Sequence, residues 1–131
     1  MRWVEVFAVL VVSHLTGDFI LQTDRQALNK FGGLSGDPVR RSALLGHLTT
    51  YGLCFVPAGI WLGTHLGAAA AVGLVALVLV PHLIQDDGRL LTLYLLRVKK
   101  ATPEPGTLLF VSVDQSFHMV ALFLTALLAA A

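Results

Sequence analysis

Four apolar runs, each close to the length that crosses a hydrocarbon layer, leave this chain few folds to choose from. They extend from about Trp3 to Leu21, Ala43 to Leu62, Gly67 to Ile84, and Thr107 to the C-terminus. A bilayer-spanning helix needs about 20 predominantly apolar residues, and a helix satisfies its own backbone N–H and C=O groups where no water is present. Of the 131 residues, 56% are hydrophobic and 13% charged, whereas about a quarter of an average soluble domain is charged. Lipid is therefore the expected solvent. The expected fold is all-α: a polytopic membrane protein, one domain over residues 1–131, built as an antiparallel bundle of four transmembrane helices. The opening MRWVEVFAVLVVSH lacks the small-residue cleavage site of a signal peptide and reads as a retained helix.

The basic residues orient such a bundle. Arg25, Lys30, Arg40 and Arg41 follow the first run; Arg89, Arg97, Lys99 and Lys100 follow the third; only Arg2 lies at the other end. The positive-inside rule puts both of these connectors in the cytoplasm and both termini on the non-cytoplasmic side of the inner (plasma) membrane. Trp3 and Trp61 then fall at the opposite interface. ATPEPG, residues 101–106, reads as a loop. Arg89 to Lys100 is amphipathic enough to lie along the inner surface. A net charge of +1 gives no case for nucleic acid, and a single cysteine, Cys54, has no partner within the chain.

Against this apolar background, the polar residues recur at one spacing. His14 and Asp18 stand four apart, as do His82 and Asp86, and Asp114 and His118 in reversed order. Residues four apart share a helix face. The second run adds His47, with Tyr51 one turn on. In the predicted topology all four helices deliver these groups to one depth, within about 10 Å of the cytoplasmic edge at 1.5 Å per residue. His65 falls in the opposite leaflet and drops out. Pro81 is expected to kink the third helix just before His82.

A lone intramembrane His or Asp reads as interhelical hydrogen-bond glue. Three pairs and a fourth histidine at common depth read as ligands, because ionisable groups in lipid must be paired, hydrated or metal-bound. The candidate metal set is His14, Asp18, His47, His82, Asp86, Asp114 and His118. Zinc takes imidazole nitrogen and carboxylate oxygen, and manganese or iron accepts the same donors. Seven candidates suit one or two divalent ions with open positions, and a bound water with its pKa lowered toward ~7 would be a nucleophile. Gln22, Gln115 and Tyr51 are expected to support ligands rather than to be ligands. Asp24 and Asp87 are expected to face water or nearby basic residues, with Asp87 pointing about 100° away from the His82 face.

At these residues the sequence resembles a bacterial family, domain of unknown function 3307. The blocks are HLTGDFILQTD, GHLTTY, HLIQDDGR and FVSVDQSFHM. Members of that family show H-x-x-x-D-F-x-x-Q-T, a histidine followed by tyrosine on helix 2, H-x-x-x-D-x-x-K and D-Q-x-x-H. The likeness covers essentially the whole chain, with Arg89 where the family has lysine. A remoter likeness, to inner-membrane metal-dependent hydrolases themselves likened to zinc-dependent phospholipase C, rests on helical His/Asp ligands. It implies phosphoester hydrolysis on a lipid-like substrate.

The expected function is a membrane metalloprotein acting as a metal-dependent hydrolase on an ester or phosphoester of a lipid-like substrate at the cytoplasmic leaflet. Membrane lipid is the expected partner, and a homo-oligomer is left open. Non-enzymatic alternatives use the same cluster: a haem-binding electron carrier, an ion or metal transporter, or an assembly subunit. Haem leaves three buried aspartates unexplained. Transport requires polar groups along the other half of the bundle, where VFAVLVV and FLTALLAAA supply almost none.

Overall fold

The computed structural model describes residues 1–131 and is helical throughout, without strands. Helix α1, Trp3–Leu15, continues as a widened π turn over Thr16–Ile20. A short helix α2, Asp24–Asn29, and a 3-10 turn at Gly33–Ser35 fill the first connector. Then come α3, Pro38–Cys54, α4, Val56–Leu66, and α5, Ala68–Asp86. Helix α6, Arg89–Tyr94, runs into a second π turn at Leu95–Lys99, and α7, Leu108–Ala130, closes the chain. Helix α1 packs on α7, α7 on α5, α5 on α4 and α3, and α3 back on α1. The bundle thus has one end with both termini and the α4–α5 turn, and another end with the two long connectors.

Three helices are long and apolar enough to cross a membrane: Trp3–Ile20, Ala68–Asp86 and Leu108–Ala130. The second predicted span differs from expectation. It is a pair, α3 and α4, bent by 47°, and it runs from Pro38 to Leu66 rather than from Ala43 to Leu62. The early start has a local cause. Asp37 caps α3 by accepting the N–H groups of Val39 and Arg40 at 2.8 and 3.1 Å, and Pro38 occupies the first helical position, where no N–H is needed. The break at Phe55 follows from Pro57, whose ring lacks a donor and crowds the preceding turn. Pro81, expected to kink its helix, lies inside the continuous α5.

Two apolar layers hold the bundle. Near the termini, Val6 and Leu10 of α1, Phe55, Leu62, Leu74, Val78, Leu122 and Ala126 form one buried cluster. At the connector end, Leu91 and Leu95 pack with Phe110, with Phe31 and Val113 against them. The basic residues Arg97, Lys99 and Lys100 of that amphipathic segment are exposed. Outside the core, large side chains such as Val12, Ile60, Val72 and Leu124 stand exposed around the helices. In water so wide an apolar surface would drive association.

Candidate metal centre

Between the two apolar layers the helices deliver the seven predicted residues to one place. His14, Asp18, His47, His82, Asp86 and His118 are buried, and Asp114 is half-buried. Close approach of α1 and α3 permits this. A Cβ built on Gly17 would lie 2.6 Å from Tyr51 Cδ2, so no larger residue fits beside the Tyr51 ring. Tyr51 in turn lies flat on His82, ring centroids 3.4 Å apart at 6°.

Four donor atoms converge most tightly. His47 Nε2 lies 3.1 Å from His82 Nε2, 3.1 Å from Asp18 Oδ1 and 3.0 Å from Asp86 Oδ2. His82 Nε2 lies 3.1 Å from Asp86 Oδ2 and 3.6 Å from Asp18 Oδ1. A tetrahedral zinc ion with bonds of about 2.0–2.1 Å holds its donors roughly 3.3–3.4 Å apart, and these five of the six separations among the four atoms lie near that value. Without a cation the arrangement is poor. Only a shared proton could separate the two imidazole lone pairs, and Asp86 Oδ2 has no hydrogen-bond partner. The Nδ1 atoms of His47 and His82 are likewise unpartnered, so nothing but the cluster itself satisfies these rings.

The other two histidines differ from this pair. His118 Nδ1 lies 2.9 Å from the Asp114 backbone carbonyl. A carbonyl only accepts, so Nδ1 carries the proton and the Nε2 lone pair is free. That atom is buried, has no hydrogen-bond partner, and stands 3.7 Å from Asp86 Oδ1. His14, by contrast, is fully engaged. Its Nε2–H donates to Gln115 Oε1 at 2.9 Å, and its Nδ1 accepts from the Tyr51 hydroxyl at 3.0 Å. Gln115 Nε2 then donates to Asp18 Oδ2 at 3.2 Å. His14 also shares a donor group with Asp18 and His82, ligand atoms within 4.8 Å of one another, and its hydrogen bonds link Tyr51 through Gln115 to Asp18.

One member of the site is absent from the candidate set. Lys30, expected only as a topology-setting charge, is buried, and its ammonium donates to Asp86 Oδ1 at 2.8 Å. Gln22, with its amide turned so that both ends are satisfied, accepts from Lys30 Nζ at 2.9 Å and donates to the Asp18 backbone carbonyl at 3.1 Å. A capping box, Thr23 with Gln26, starts α2, and its last turn delivers Lys30 inward. The TDRQ signature was visible in the sequence; the inward aim of Lys30 was not, since its partner lies 56 positions away.

The remaining polar residues sort cleanly. Asp87, expected near water or a basic residue, is buried; it pairs with Arg89 and accepts the Leu34 N–H at 2.7 Å. His65 is exposed and bonds locally to Trp61 O at 2.8 Å. Arg40 reaches the Phe31 carbonyl at 3.1 Å.

A cavity of about 280 Å³ opens beside the cluster, between the end of α1, α2 and the start of α7. Asp18, Gln22, Lys30, Asp114 and Gln115 form its polar wall, and Phe19, Leu28, Phe31 and Phe110 its apolar wall. Charge in and around it is unbalanced. Three carboxylates, Asp18, Asp86 and Asp114, face the single ammonium of Lys30, a net −2 with neutral imidazoles. Uncompensated buried charge costs several kcal/mol, and either one divalent cation or protons on two of the imidazoles would close this deficit.

Fold and site together define an all-helical protein whose apolar helices surround a buried His/Asp cluster. Residues 6–131 match the family model described as protein of unknown function, DUF3307, and the chain belongs to that family. No curated protein and no solved structure matches it.

Proposed function

We propose that the protein is an integral membrane metalloprotein that holds one divalent cation, zinc first, at Asp18, His47, His82 and Asp86, and hydrolyses an ester or phosphoester of a lipid-like substrate at the headgroup level of the cytoplasmic leaflet. The observation that carries the metal reading is the set of five donor separations between 3.0 and 3.6 Å. The charge deficit of −2 and the apolar belt of exposed side chains support it. Both termini then face away from the cytoplasm, as the eight basic residues of the connector end suggest.

A divalent ion held by Asp18, His47, His82 and Asp86 would supply Lewis acidity and lower the pKa of water there toward ~7. The chain's own residues do the rest. The cavity admits a headgroup while its apolar wall meets an acyl chain. Gln115 and His14 orient Asp18, and Lys30 fixes Asp86. Asp114, which lines the cavity and is not held by Lys30, is the carboxylate we assign as general base. The tight packing of His47, His82 and Tyr51, with centroids 3.4 to 5.8 Å apart, leaves no slot for a haem macrocycle. The termini-side core is aliphatic, with Thr125 bonded to its own helix, which disfavours a transport path.

Metal analysis of detergent-purified protein tests the reading. Wild type should carry close to one zinc per chain, His47→Ala and His82→Ala none, and His65→Ala the wild-type amount. Wild-type protein that is free of metal when prepared without chelator would end the proposal. Asp114→Asn should keep the metal and lose at least 100-fold in hydrolysis of a chromogenic phosphoester or ester, in line with the usual contribution of a general base. Undiminished turnover there removes Asp114 from that role.

A further inference from the structure

Asp86 is shared between two neighbourhoods. Its Oδ2 faces His47 Nε2 and His82 Nε2 at 3.0 and 3.1 Å; its Oδ1 faces Lys30 Nζ at 2.8 Å and His118 Nε2 at 3.7 Å. Donor atoms of Asp86, Asp114 and His118 lie within 4.8 Å of one another. A carboxylate with one oxygen in each of two donor sets is the bridge on which helical bundles build paired metal sites, whose ions stand about 3.5–4 Å apart. Here the second set is almost complete. It has the bridging oxygen, the Asp114 carboxylate, and the unpartnered, buried lone pair of His118. What stands on the bridging oxygen is an ammonium group.

We propose that Lys30, through its contact with Asp86 Oδ1, stands in for a second cation that Asp86 Oδ1, Asp114 and His118 would otherwise hold, so that the wild-type chain takes one divalent ion where its donor set offers room for two. The inference rests on the metal reading above and adds to it what fixes the number of ions. Charge gives the reason. With Lys30 present, one divalent ion neutralises the three carboxylates. With Lys30 removed, one ion leaves a carboxylate uncompensated in a buried setting, on the side where an oxygen, oxygen, nitrogen set stands ready for a divalent ion. A lysine also differs from an ion in being covalently attached. Its position depends on α2 staying docked, held by Gln22 on one side and by Asp86 on the other.

The test is a zinc count on purified protein after saturation with zinc and removal of the excess. Wild type should bind one ion per chain. Lys30→Met, which keeps most of the unbranched stem and removes the charge, should bind two. Lys30→Arg should bind one, and Lys30→Met combined with His118→Ala should return to one. X-ray absorption at the zinc edge should show a metal neighbour at about 3.5–4 Å in Lys30→Met and none in wild type. One ion in a folded Lys30→Met chain overturns the role of Lys30 and leaves the metal reading standing. No ion in wild type or in the variant overturns both. Should Lys30→Met fail to fold, wild type itself decides: saturation at one ion in excess zinc is the required result, and two ions bound with Lys30 in place refute the proposal.

Discussion

From Val6 to Leu10 on α1, and from Leu122 to Ala129 on α7, the bundle is closed by aliphatic side chains; one turn further along the same two helices, His14 and His118 stack with centroids 5.2 Å apart. The contrast shows how the two layers divide the work. The apolar layer has one buried polar group, Thr125, which donates to the Ala121 carbonyl of its own helix. The polar layer is built from groups that destabilise a bundle unless something neutralises them. If stability alone were at issue, the second layer would be better replaced by hydrophobic residues of the same shape. That cost, in a layer framed by a second apolar layer at Leu91, Leu95 and Phe110, is the physical ground for the proposal that the polar layer holds a cation.

The strongest way to break the contrast is to put a charge into the dry layer. Ala126 is fully buried there, with no cationic partner in its cluster. Ala126→Asp should destabilise the chain by several kcal/mol, seen as loss of folded protein at any metal concentration. The same carboxylates one layer away are tolerated because Lys30 and the imidazoles surround them. If Ala126→Asp folds as well as wild type, then burial alone does not distinguish the layers, and the polar cluster needs no special neutralising partner.

A second experiment asks how closely the polar layer must fit. Gly17 faces Tyr51, and an added Cβ would meet the ring at 2.6 Å and the Tyr51 Cα at 3.3 Å. Gly17→Val must push α1 away from α3 or displace the Tyr51 ring from His82. An overpacked contact of this kind typically costs about 1–3 kcal/mol. The Tyr51 to His14 hydrogen bond should lengthen with it, so metal affinity should fall together with stability. A Gly17→Val chain that loses stability and keeps its metal would show that the ring stack and the His14 chain do not hold the donors in place. The comparison would then sharpen into one between the four donor atoms and everything else.

Much of both layers can be read from the sequence, because both rest on short-range periodicity. Three apolar runs become helices close to the expected lengths, and the three pairs four residues apart fall on inward faces as helix geometry requires. The meeting of His14, Asp18, His47, His82, Asp86, Asp114 and His118 follows from antiparallel topology and common depth. What periodicity does not carry is which donor atoms are already hydrogen-bonded and which are bare. His14 and His118 look alike in sequence, yet one has both nitrogens occupied and the other has a bare lone pair, because Gln115 and Tyr51 reach the first from distant positions. Lys30 hides for the same reason. A charged residue in a polar connector reads as solvated, and only the adjacent Phe31, packed against the connector-end layer, hints otherwise. The break between α3 and α4 falls before Pro57, inside a run that reads as one span, whereas Pro81, expected to kink its helix, sits within an unbroken one.

The smallest effect is expected at the border between the polar layer and the connector, where Asp37 starts α3. Its carboxylate is exposed and accepts the Arg40 and Val39 N–H groups, and these bonds hold its pKa below the ordinary aspartate value, the Arg40 N–H contributing most. The sign follows from linkage: a pKa lowered on folding gives stability that is present above the unfolded value near ~3.9 and is lost as pH falls through the folded one. Asp37→Ala should lower Tm by a few degrees at neutral pH through loss of the cap, and its difference from wild type should shrink on acidification below about pH 4. Asp37→Asn keeps a capping oxygen that does not titrate, so it should track wild type at neutral pH and retain its cap in acid. Measured against Ala126→Asp and Gly17→Val, a short-range cap at the exposed edge should matter least. If Asp37→Ala instead strips the metal, the start of α3 controls where His47 stands, and the border belongs to the site.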